Sequence, residues 1–140
     1  PYLLIAGLGA DRPAPPAWLI ALCIGLFAVG LTIMTAADCQ KHFTLKLQRG
    51  LITTGMFRWV RHPNYLGEMM LYAAFALLVQ HWLPWVILAY WWTCIFYVNM
   101  LMIEASISRY PEWAAYKART GRLLPCGLFS GPPTQQPQPS

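Results

Sequence analysis

Two long apolar runs without a charged side chain restrict what this chain can fold into more than any other feature. Residues 17 to 37 read AWLIALCIGLFAVGLTIMTAA, and residues 82 to 103 read WLPWVILAYWWTCIFYVNMLMI. About 20 such residues in a helix, each rising about 1.5 Å, cross the roughly 30 Å hydrocarbon core of a bilayer. Because lipid offers no hydrogen bonds to the backbone, such runs must be helical. They predict two membrane-spanning helices.

A shorter apolar stretch, YLGEMMLYAAFALLVQ at residues 65 to 80, contains Glu68 and predicts a third span whose inner end lies in protein or water. The opening PYLLIAGLGA predicts the tail of an earlier apolar segment in a truncated chain. The composition of 57% hydrophobic and 11% charged residues also departs from the roughly 45–50% and 25% of soluble domains. The predicted fold class is all-α, a polytopic transmembrane helical bundle with three full spans and a partial N-terminal one.

The distribution of basic residues predicts the orientation of this bundle. Nine of the ten lysines and arginines lie in two blocks, residues 41 to 61 and 109 to 122. Three spans place both blocks on one side of the membrane, and the positive-inside rule makes that side the cytoplasm. We therefore predict an integral membrane protein with its basic segments and C-terminus on the cytoplasmic side. Nucleic-acid binding is a poor interpretation, because the basic residues flank membrane segments and form no base-reading arm.

Prolines and short polar segments predict where the helices break. Pro63 disfavours helical geometry at the residue before it, so a helix is expected to end there and to resume from Asn64. Gln80 and His81 leave room only for a tight antiparallel helix hairpin. A short helix is expected from about Pro111, on the cytoplasmic side.

The chain is expected to form one membrane-embedded domain, residues 1–125, followed by a disordered tail. The tail, residues 126–140, is rich in proline, glutamine and serine. No metal site is predicted, because no cysteine has a CxxC partner or a histidine at metal-ligand spacing. The cysteines are instead interpreted as small apolar residues in a reducing context: Cys23, Cys39, Cys94 and Cys126.

Polar residues are dense in RHPNYLGE, residues 61 to 68, at the start of the third apolar stretch. In a helix Asn64, Tyr65 and Glu68 share one face, which Tyr72 continues one turn later. Ionisable groups inside a membrane are costly unless they meet partners or water, so this face predicts a functional cavity. The alternative is that basic residues 58, 61 and 62 anchor at lipid headgroups and that Glu68 pairs with one of them.

A second polar group follows the last apolar run, where Glu104 ends the predicted span. Guanidinium and ammonium groups bind phosphate or carboxylate, and flat aromatic side chains stack on a ring, so this mixture suits an anionic ligand with an aromatic ring. An aromatic belt at the membrane interface is the alternative for the aromatic members. The residues concerned are Arg109, Tyr110, Trp113, Tyr116 and Lys117.

Three segments carry a resemblance to a known superfamily: GMFRWV at 55–60, RHPNYLGE at 61–68 and RYPEWAAYKARTGRLLP at 109–125. Over about residues 36–125 the chain resembles the C-terminal part of a membrane superfamily. That superfamily joins steroid 5-alpha-reductases, sterol reductases, and isoprenylcysteine carboxyl and phospholipid methyltransferases. The chain looks nearest to the bacterial-type steroid 5-alpha-reductase-like proteins. The His-Pro-x-Tyr core is shared by both chemistries, so it predicts the fold better than the reaction.

The resemblance implies an enzyme that reduces a C=C bond of a lipid-soluble steroid, sterol or isoprenoid substrate with NADPH. AADCQKHFTLK, residues 36–46, is similar to a sterol reductase segment, which implies that Gln40 and Lys41 approach the adenosine-phosphate end of the cofactor. The alternative is an S-adenosylmethionine-dependent methyltransferase acting on an isoprenylcysteine carboxylate or a phospholipid. Methyltransferases of prenylcysteine typically have two adjacent acids where this chain has Glu104 and Ala105. The resemblance further implies that the N-terminal helices, which supply the ketone-polarising acid and phenol in 5-alpha-reductases, are missing from this chain.

Together the motifs and the resemblance give a set of candidate residues. Tyr65 and Glu68 are the predicted catalytic residues. In the reductase the basic residues would bind phosphates, whereas in the methyltransferase Glu104 and Glu68 would face the ammonium or sulfonium group. The expected partners are a lipid-soluble substrate and membrane lipids. The predicted cofactor-binding residues are Gln40, Lys41, Arg58, Arg61, His62, Asn64, Glu104, Arg109, Tyr110, Tyr116 and Lys117.

Overall fold

A computed structural model of the chain describes residues 13–47 and 50–125, together with Gly7. The predicted partial N-terminal span and the predicted C-terminal tail lie outside the described residues, apart from Gly7. The described part is mostly helical and contains no strand, only an isolated parallel bridge between Val60 and Gly121. Its helices are α1 (Ala17–Leu47), a 3-10 helix (Gly55–Arg58), α2 (Pro63–Val79), α3 (Trp82–Trp91), a π-helical turn (Trp92–Phe96), α4 (Tyr97–Ile107) and α5 (Trp113–Arg119).

Two of the described helices are long and apolar enough to cross a membrane. The first is α1, with 31 residues, and the second is the continuous helix Trp82–Ile107 of 26 residues, which joins α3, the π-helical turn and α4. These are the two helices that the uncharged runs predict. The helix α2 has 17 residues, about 25 Å of rise, which lies at the lower limit for a span. The third full span, and the side of the membrane on which α5 lies, stay predictions.

The helices α1 and α2 pack antiparallel through two glycines that face each other. A Cβ atom placed on Gly30 would lie 2.7 Å from the Gly67 carbonyl oxygen, and one placed on Gly67 would lie 2.5 Å from the Gly30 carbonyl oxygen. Small residues of this kind let membrane helices approach closely without a water-driven hydrophobic force. Because the pair is antiparallel, the C-terminal end of α1 lies beside the start of α2, where the predicted polar residues are found.

The loop between α1 and α2 is held against α1 by the side chain of Gln40. Its Nε2 donates to the carbonyl oxygen of Thr54 at 2.7 Å, and its Oε1 accepts from the backbone N–H of Met56 at 3.0 Å. Between them Gly55 has φ 59°, a conformation that favours glycine, and any side chain there would meet the Gln40 amide. This turn directs the chain into the 3-10 helix and towards Arg61.

The predicted breaks at Pro63 and at Gln80 are confirmed. Pro63 is the first residue of α2, where its missing N–H is not needed, so the helix begins one residue before the predicted Asn64. Gln80 ends α2 with φ 51°, and His81 caps α3 by accepting the Leu83 N–H at 3.0 Å through Nδ1. The short C-terminal helix begins at residue 113, two residues later than predicted.

Candidate functional site

Glu104, near the end of α4, lies at the centre of a buried ionic cluster. Arg122 binds it through two hydrogen bonds of 2.9 Å, one from Nε to Oε1 and one from Nη2 to Oε2. Arg61 donates from Nε to Oε1 at 3.1 Å, and His62 Nε2 lies 3.5 Å from the same oxygen. Such charge-assisted, bidentate contacts are short and geometrically specific. We call these four residues, Arg61, His62, Glu104 and Arg122, the Glu104 cluster.

The Glu104 cluster also fastens the segment after α4 to the loop before α2. Arg61 Nη1 donates to the carbonyl oxygens of Lys117 at 3.1 Å and Thr120 at 2.7 Å. The backbone N–H groups of Arg61 and His62 donate to the carbonyl oxygens of residues 121 and 122. Tyr116 is 2% exposed and donates its hydroxyl to the carbonyl oxygen of Phe57 at 2.7 Å. These hydrogen bonds join two segments that are distant in the sequence, residues 57 to 62 and residues 116 to 122.

Burial sets the protonation state of two residues in these segments, His62 and Tyr116. Burial lowers the pKa of His62 to about 4, although the neighbouring Glu104 opposes the shift, so the imidazole is neutral at pH 7. Its Nε2 has no hydrogen-bond partner in the described part of the chain. Burial raises the pKa of Tyr116 to about 12, which keeps its phenol a donor. The hydrogen bond to Glu104 raises the pKa of Arg122. With two arginines, one carboxylate and a neutral imidazole, the Glu104 cluster carries one net positive charge.

A cavity of about 230 Å³ opens beside the Glu104 cluster. Of the described residues, three cations from three different segments line it, and no carboxylate does. Among the described residues Lys41 and Arg109 form no salt bridge, so both are available to a bound anion. The cations and polar residues of the wall are Lys41, Arg61, His62, Asn64, Arg109, Tyr110 and Tyr116, and apolar side chains such as Leu45, Ile52, Phe57, Ile103 and Ile107 complete it.

Seven of the eleven predicted cofactor-binding residues thus lie on one cavity wall, and four do not. Gln40 instead binds the Thr54 and Met56 backbone, and Glu104 lies behind Arg61 as its counter-ion. Lys117 contributes its carbonyl oxygen to Arg61, while its side chain is exposed. Arg58 lies over the exposed ring of Trp59, with 5.5 Å between its Cζ and the ring centroid. Sequence spacing does not distinguish these roles, and the assignments of these residues to a cofactor stay predictions.

The two predicted catalytic residues, Tyr65 and Glu68, belong to a second polar cluster. Tyr72 donates its hydroxyl to Glu68 Oε1 at 3.1 Å, as expected for residues four apart on one helix face. The Tyr65 phenol lies within electrostatic range of Glu68 and Asp38, and close to the Asn99 side chain of α4. We call Tyr65, Glu68, Tyr72 and Asn99 the Glu68 cluster.

Tyr65 connects the two clusters through its ring. Its centroid lies 5.0 Å from that of Phe96 and 5.8 Å from that of His62, both in edge-on geometry. Phe96 is 4% exposed and belongs to the π-helical turn, a distortion that is frequent at functional sites. The ring of Tyr65 therefore lies between His62 on the cavity wall and the buried ring of Phe96.

Two site residues were missed by sequence reasoning. Arg122 was counted as part of a basic block, but nothing in the sequence pairs it with Glu104, 18 residues earlier. The signal that was available is physical: a carboxylate at the end of an apolar helix needs a cation. Asn99 is the one amide in the uncharged run 82 to 103, and a lone amide in such a run predicts a polar partner.

The comparisons with known proteins identify the family of the chain. Residues 2–120 match a family described as protein of unknown function (DUF1295). Two uncharacterised proteins of Schizosaccharomyces pombe are 34% identical over 87 and 93 residues, which are 59% and 61% of this chain and 29% and 26% of those proteins. The chain thus spans less than a third of the length of either curated relative, and no solved structure matches it. The predicted superfamily is confirmed, whereas the bacterial-type subgroup stays a prediction. The chain belongs to the DUF1295 family of the steroid 5-alpha-reductase-like superfamily.

Proposed function

We propose that this chain forms the cofactor-binding part of a membrane reductase that uses NADPH to reduce a C=C bond in a lipid-soluble steroid, sterol or isoprenoid. The observation that carries the proposal is the cavity wall. Lys41, Arg61 and Arg109 converge on one space, and none of the described residues that line it is a carboxylate. A concave site lined by cations and aromatic rings suits a phosphorylated nucleotide.

The chemistry of the donor set fits one end of this cofactor. The cavity holds about 230 Å³, less than the roughly 300 Å³ at which sites for whole drug-sized ligands begin. Lys41 and Arg109 offer ammonium and guanidinium donors to phosphate, and Arg61 retains its Nη2 donors after binding Glu104 and two carbonyl oxygens. Phe57, Tyr110 and Tyr116 supply ring faces for the adenine. The cavity thus takes the adenosine-phosphate end, and the remainder extends along the helices.

The Glu104 cluster has the role of fixing Arg61 rather than of contacting the cofactor. Because the guanidinium binds one carboxylate and two carbonyl oxygens, its orientation is set before any ligand arrives. A donor held in place in this way loses little side-chain entropy on binding an anion.

NADPH, when bound, would supply the hydride, and the second hydrogen enters as a proton. We assign the donation of this proton to the Tyr65 phenol, which lies next to Glu68 and Asn99 near the start of α2. The phenolate left by that transfer would regain its proton from water.

Methyl transfer from S-adenosylmethionine is the competing function, and one observation favours it. Glu68 has no lysine or arginine partner in the described residues, so its negative charge would attract a sulfonium. Glu104, the other acid assigned to that role, is already neutralised by Arg61 and Arg122. The methyltransferase therefore keeps only one of its two expected acids.

Ligand-induced thermal shifts of the chain purified in detergent test the proposal. NADPH is expected to raise the unfolding temperature more than S-adenosylmethionine does. The shift with NADPH should be smaller at high salt, because salt screens the ionic contacts. Lys41→Ala and Arg109→Ala should each weaken NADPH binding about tenfold. Lys46→Ala is the matched control, since this exposed lysine lies on the same helix as Lys41 but outside the cavity. A larger shift with S-adenosylmethionine would reject the reductase.

A further inference from the structure

The arginines of the two basic blocks fall into groups with different partners. Two of them bind Glu104, and Arg109 lines the cavity. Arg58 and Arg119 do neither, and both side chains are exposed. Neither guanidinium group has a hydrogen bond or a salt bridge to a described residue. These two cations therefore have no role in the site described above.

An aromatic ring holds each of these two guanidinium groups in place. The Cζ atom of Arg58 lies 5.5 Å from the centroid of the Trp59 ring, and that of Arg119 lies 5.9 Å from the centroid of the Tyr116 ring. A guanidinium group over a ring is attracted by the face of the ring and keeps the N–H groups at its edge free. Those N–H groups form the fork that binds the oxygens of a phosphate.

The two arginines belong to segments that lie side by side. Tyr116, the ring under one of them, donates its hydroxyl to the carbonyl oxygen of Phe57, the residue directly before the other, at 2.7 Å. Val60 and Gly121, each two positions after one of the arginines, form the isolated parallel bridge. Both guanidinium groups thus lie in one region of the molecular surface, although the two residues are distant in the sequence.

This region lies at the level where the apolar helices end. The helix α2 begins at Pro63, four residues after Trp59, and the Glu104 cluster fastens the same loop to the end of α4. Trp59 is 58% exposed, and exposed tryptophan is typical of the interface where lipid headgroups lie. We call Arg58, Trp59 and Arg119 the interfacial surface.

We propose that the interfacial surface binds the headgroup phosphate of an anionic phospholipid, a role that goes beyond the proposed function because it needs no cofactor. The two guanidinium groups bind the phosphate oxygens, and the Trp59 ring packs at the boundary between headgroup and acyl chains. A zwitterionic headgroup brings an ammonium group of its own, which two arginines repel. The headgroup of phosphatidylglycerol brings no such cation. Charge complementarity therefore favours the anionic lipid.

Native mass spectrometry of the chain in detergent tests this surface with phosphatidylglycerol and phosphatidylcholine of the same acyl chains. The unaltered chain should bind its first phosphatidylglycerol about tenfold or more tightly than phosphatidylcholine, since each arginine near an anionic headgroup contributes about fivefold. Arg58→Gln and Arg119→Gln should each reduce that preference by about threefold to fivefold. Lys46→Gln is the matched control, because it removes an exposed cation at the end of α1 and should keep the preference.

Several results would overturn the inference. The first is equal binding of the two lipids by the unaltered chain, and the second is an unchanged preference in both arginine variants. A preference lost in Lys41→Ala instead would place the lipid in the cavity. Displacement of the lipid by an equal concentration of glycerophosphoglycerol, its headgroup without acyl chains, would show that the surface binds a soluble phosphate.

The NADPH thermal shift separates this inference from the proposed function. It should be the same in Arg58→Gln, Arg119→Gln and the unaltered chain, and a smaller shift in Arg58→Gln would assign this arginine to the cofactor and overturn the inference. A missing NADPH effect in all three, together with a lipid preference that the two variants lose, would reject the reductase and support the lipid site. Both substitutions replace exposed side chains, so the variants should unfold at the temperature of the unaltered chain.

Discussion

The two carboxylates Glu104 and Glu68 have opposite environments. Glu104 is 6% exposed and uses both oxygens on two arginines. Glu68 is half-buried and has one hydrogen bond, from a phenol, with no cation among the described residues. The first arrangement is complete without a ligand, whereas the second is not. The satisfied carboxylate of Glu104 joins two segments of the chain, whereas the catalytic role of Glu68 stays a prediction.

The surroundings of the two residues account for the difference. Glu104 faces the loop before α2 and the segment after α5, both of which bring arginines. Glu68 faces the helices, where the sequence offers phenols and an amide but no basic side chain. Truncating a buried ion pair leaves the partner charge uncompensated, which costs far more than losing a neutral hydrogen bond. The same substitution at the two positions should therefore have different effects.

The largest effect is expected for Glu104→Gln. The amide keeps the shape of the side chain but leaves Arg61, whose side chain is 8% exposed, and Arg122 without a counter-charge. We expect a loss of about 3 to 5 kcal/mol of unfolding free energy, measured by chemical denaturation in detergent. Glu112→Gln is the control, because this carboxylate is exposed and its loss should change stability by about 0.5 kcal/mol or less. Equal effects at the two positions would show that the Glu104 cluster adds no stability.

The next effect is a pH dependence that belongs to the Glu104 cluster alone. The pKa of His62 falls from 6.5 to about 4 on folding, so between these values the unfolded chain binds a proton that the folded chain does not. Stability should therefore decrease as the pH is lowered from 6.5 to 4, by at most about 3 kcal/mol from this residue. Above pH 6.5 it contributes no pH dependence.

Unfolding of His62→Gln at several pH values checks this expectation. The variant should lose less stability than the unaltered chain between pH 6.5 and 4. His42→Gln removes an exposed histidine instead and should retain the original profile. Parallel profiles for the unaltered chain and His62→Gln would show that the imidazole is not held neutral by burial.

Gly67→Ala is expected to have an intermediate effect and to act on the other cluster. Its Cβ would lie 2.5 Å from the Gly30 carbonyl oxygen and 2.6 Å from the Met34 nitrogen, so α1 and α2 must separate. Overpacking of this kind costs about 1 to 3 kcal/mol. Because Glu68 is the next residue, we expect the Glu68 cluster to be displaced while NADPH binding at the cavity persists. Gly25→Ala, with nothing within 4 Å of its Cβ, is the control.

The local features of the fold could be predicted from the sequence, because they depend on neighbours along the chain. The uncharged runs gave the two long helices, and Pro63 and Gln80 gave the breaks. The spacing of Glu68 and Tyr72 gave their shared face. The π-helical turn at Trp92–Phe96 was not predicted, because a five-residue change in helix pitch leaves the apolar composition as it is.

The separation of the site into two clusters could not be predicted, because it depends on contacts between distant residues. Arg61 meets Glu104 across 43 positions and Tyr116 meets Phe57 across 59. From composition alone Arg61, Glu68 and Glu104 belong to one wet pocket. In the structure Glu104 lies behind the cavity wall and forms salt bridges with Arg61 and Arg122. Glu68 lies within α2, where none of the described arginines forms a salt bridge with it.

The smallest change in stability is expected for Glu68→Gln, the substitution that matches Glu104→Gln. The amide oxygen can still accept from Tyr72, and no described cation loses its partner, so unfolding free energy should change by about 1 kcal/mol or less. Chemical denaturation in detergent measures the change in both variants. If Glu68→Gln destabilises the chain as much as Glu104→Gln does, both carboxylates are structural. The difference in their hydrogen bonding would then not correspond to a difference in role.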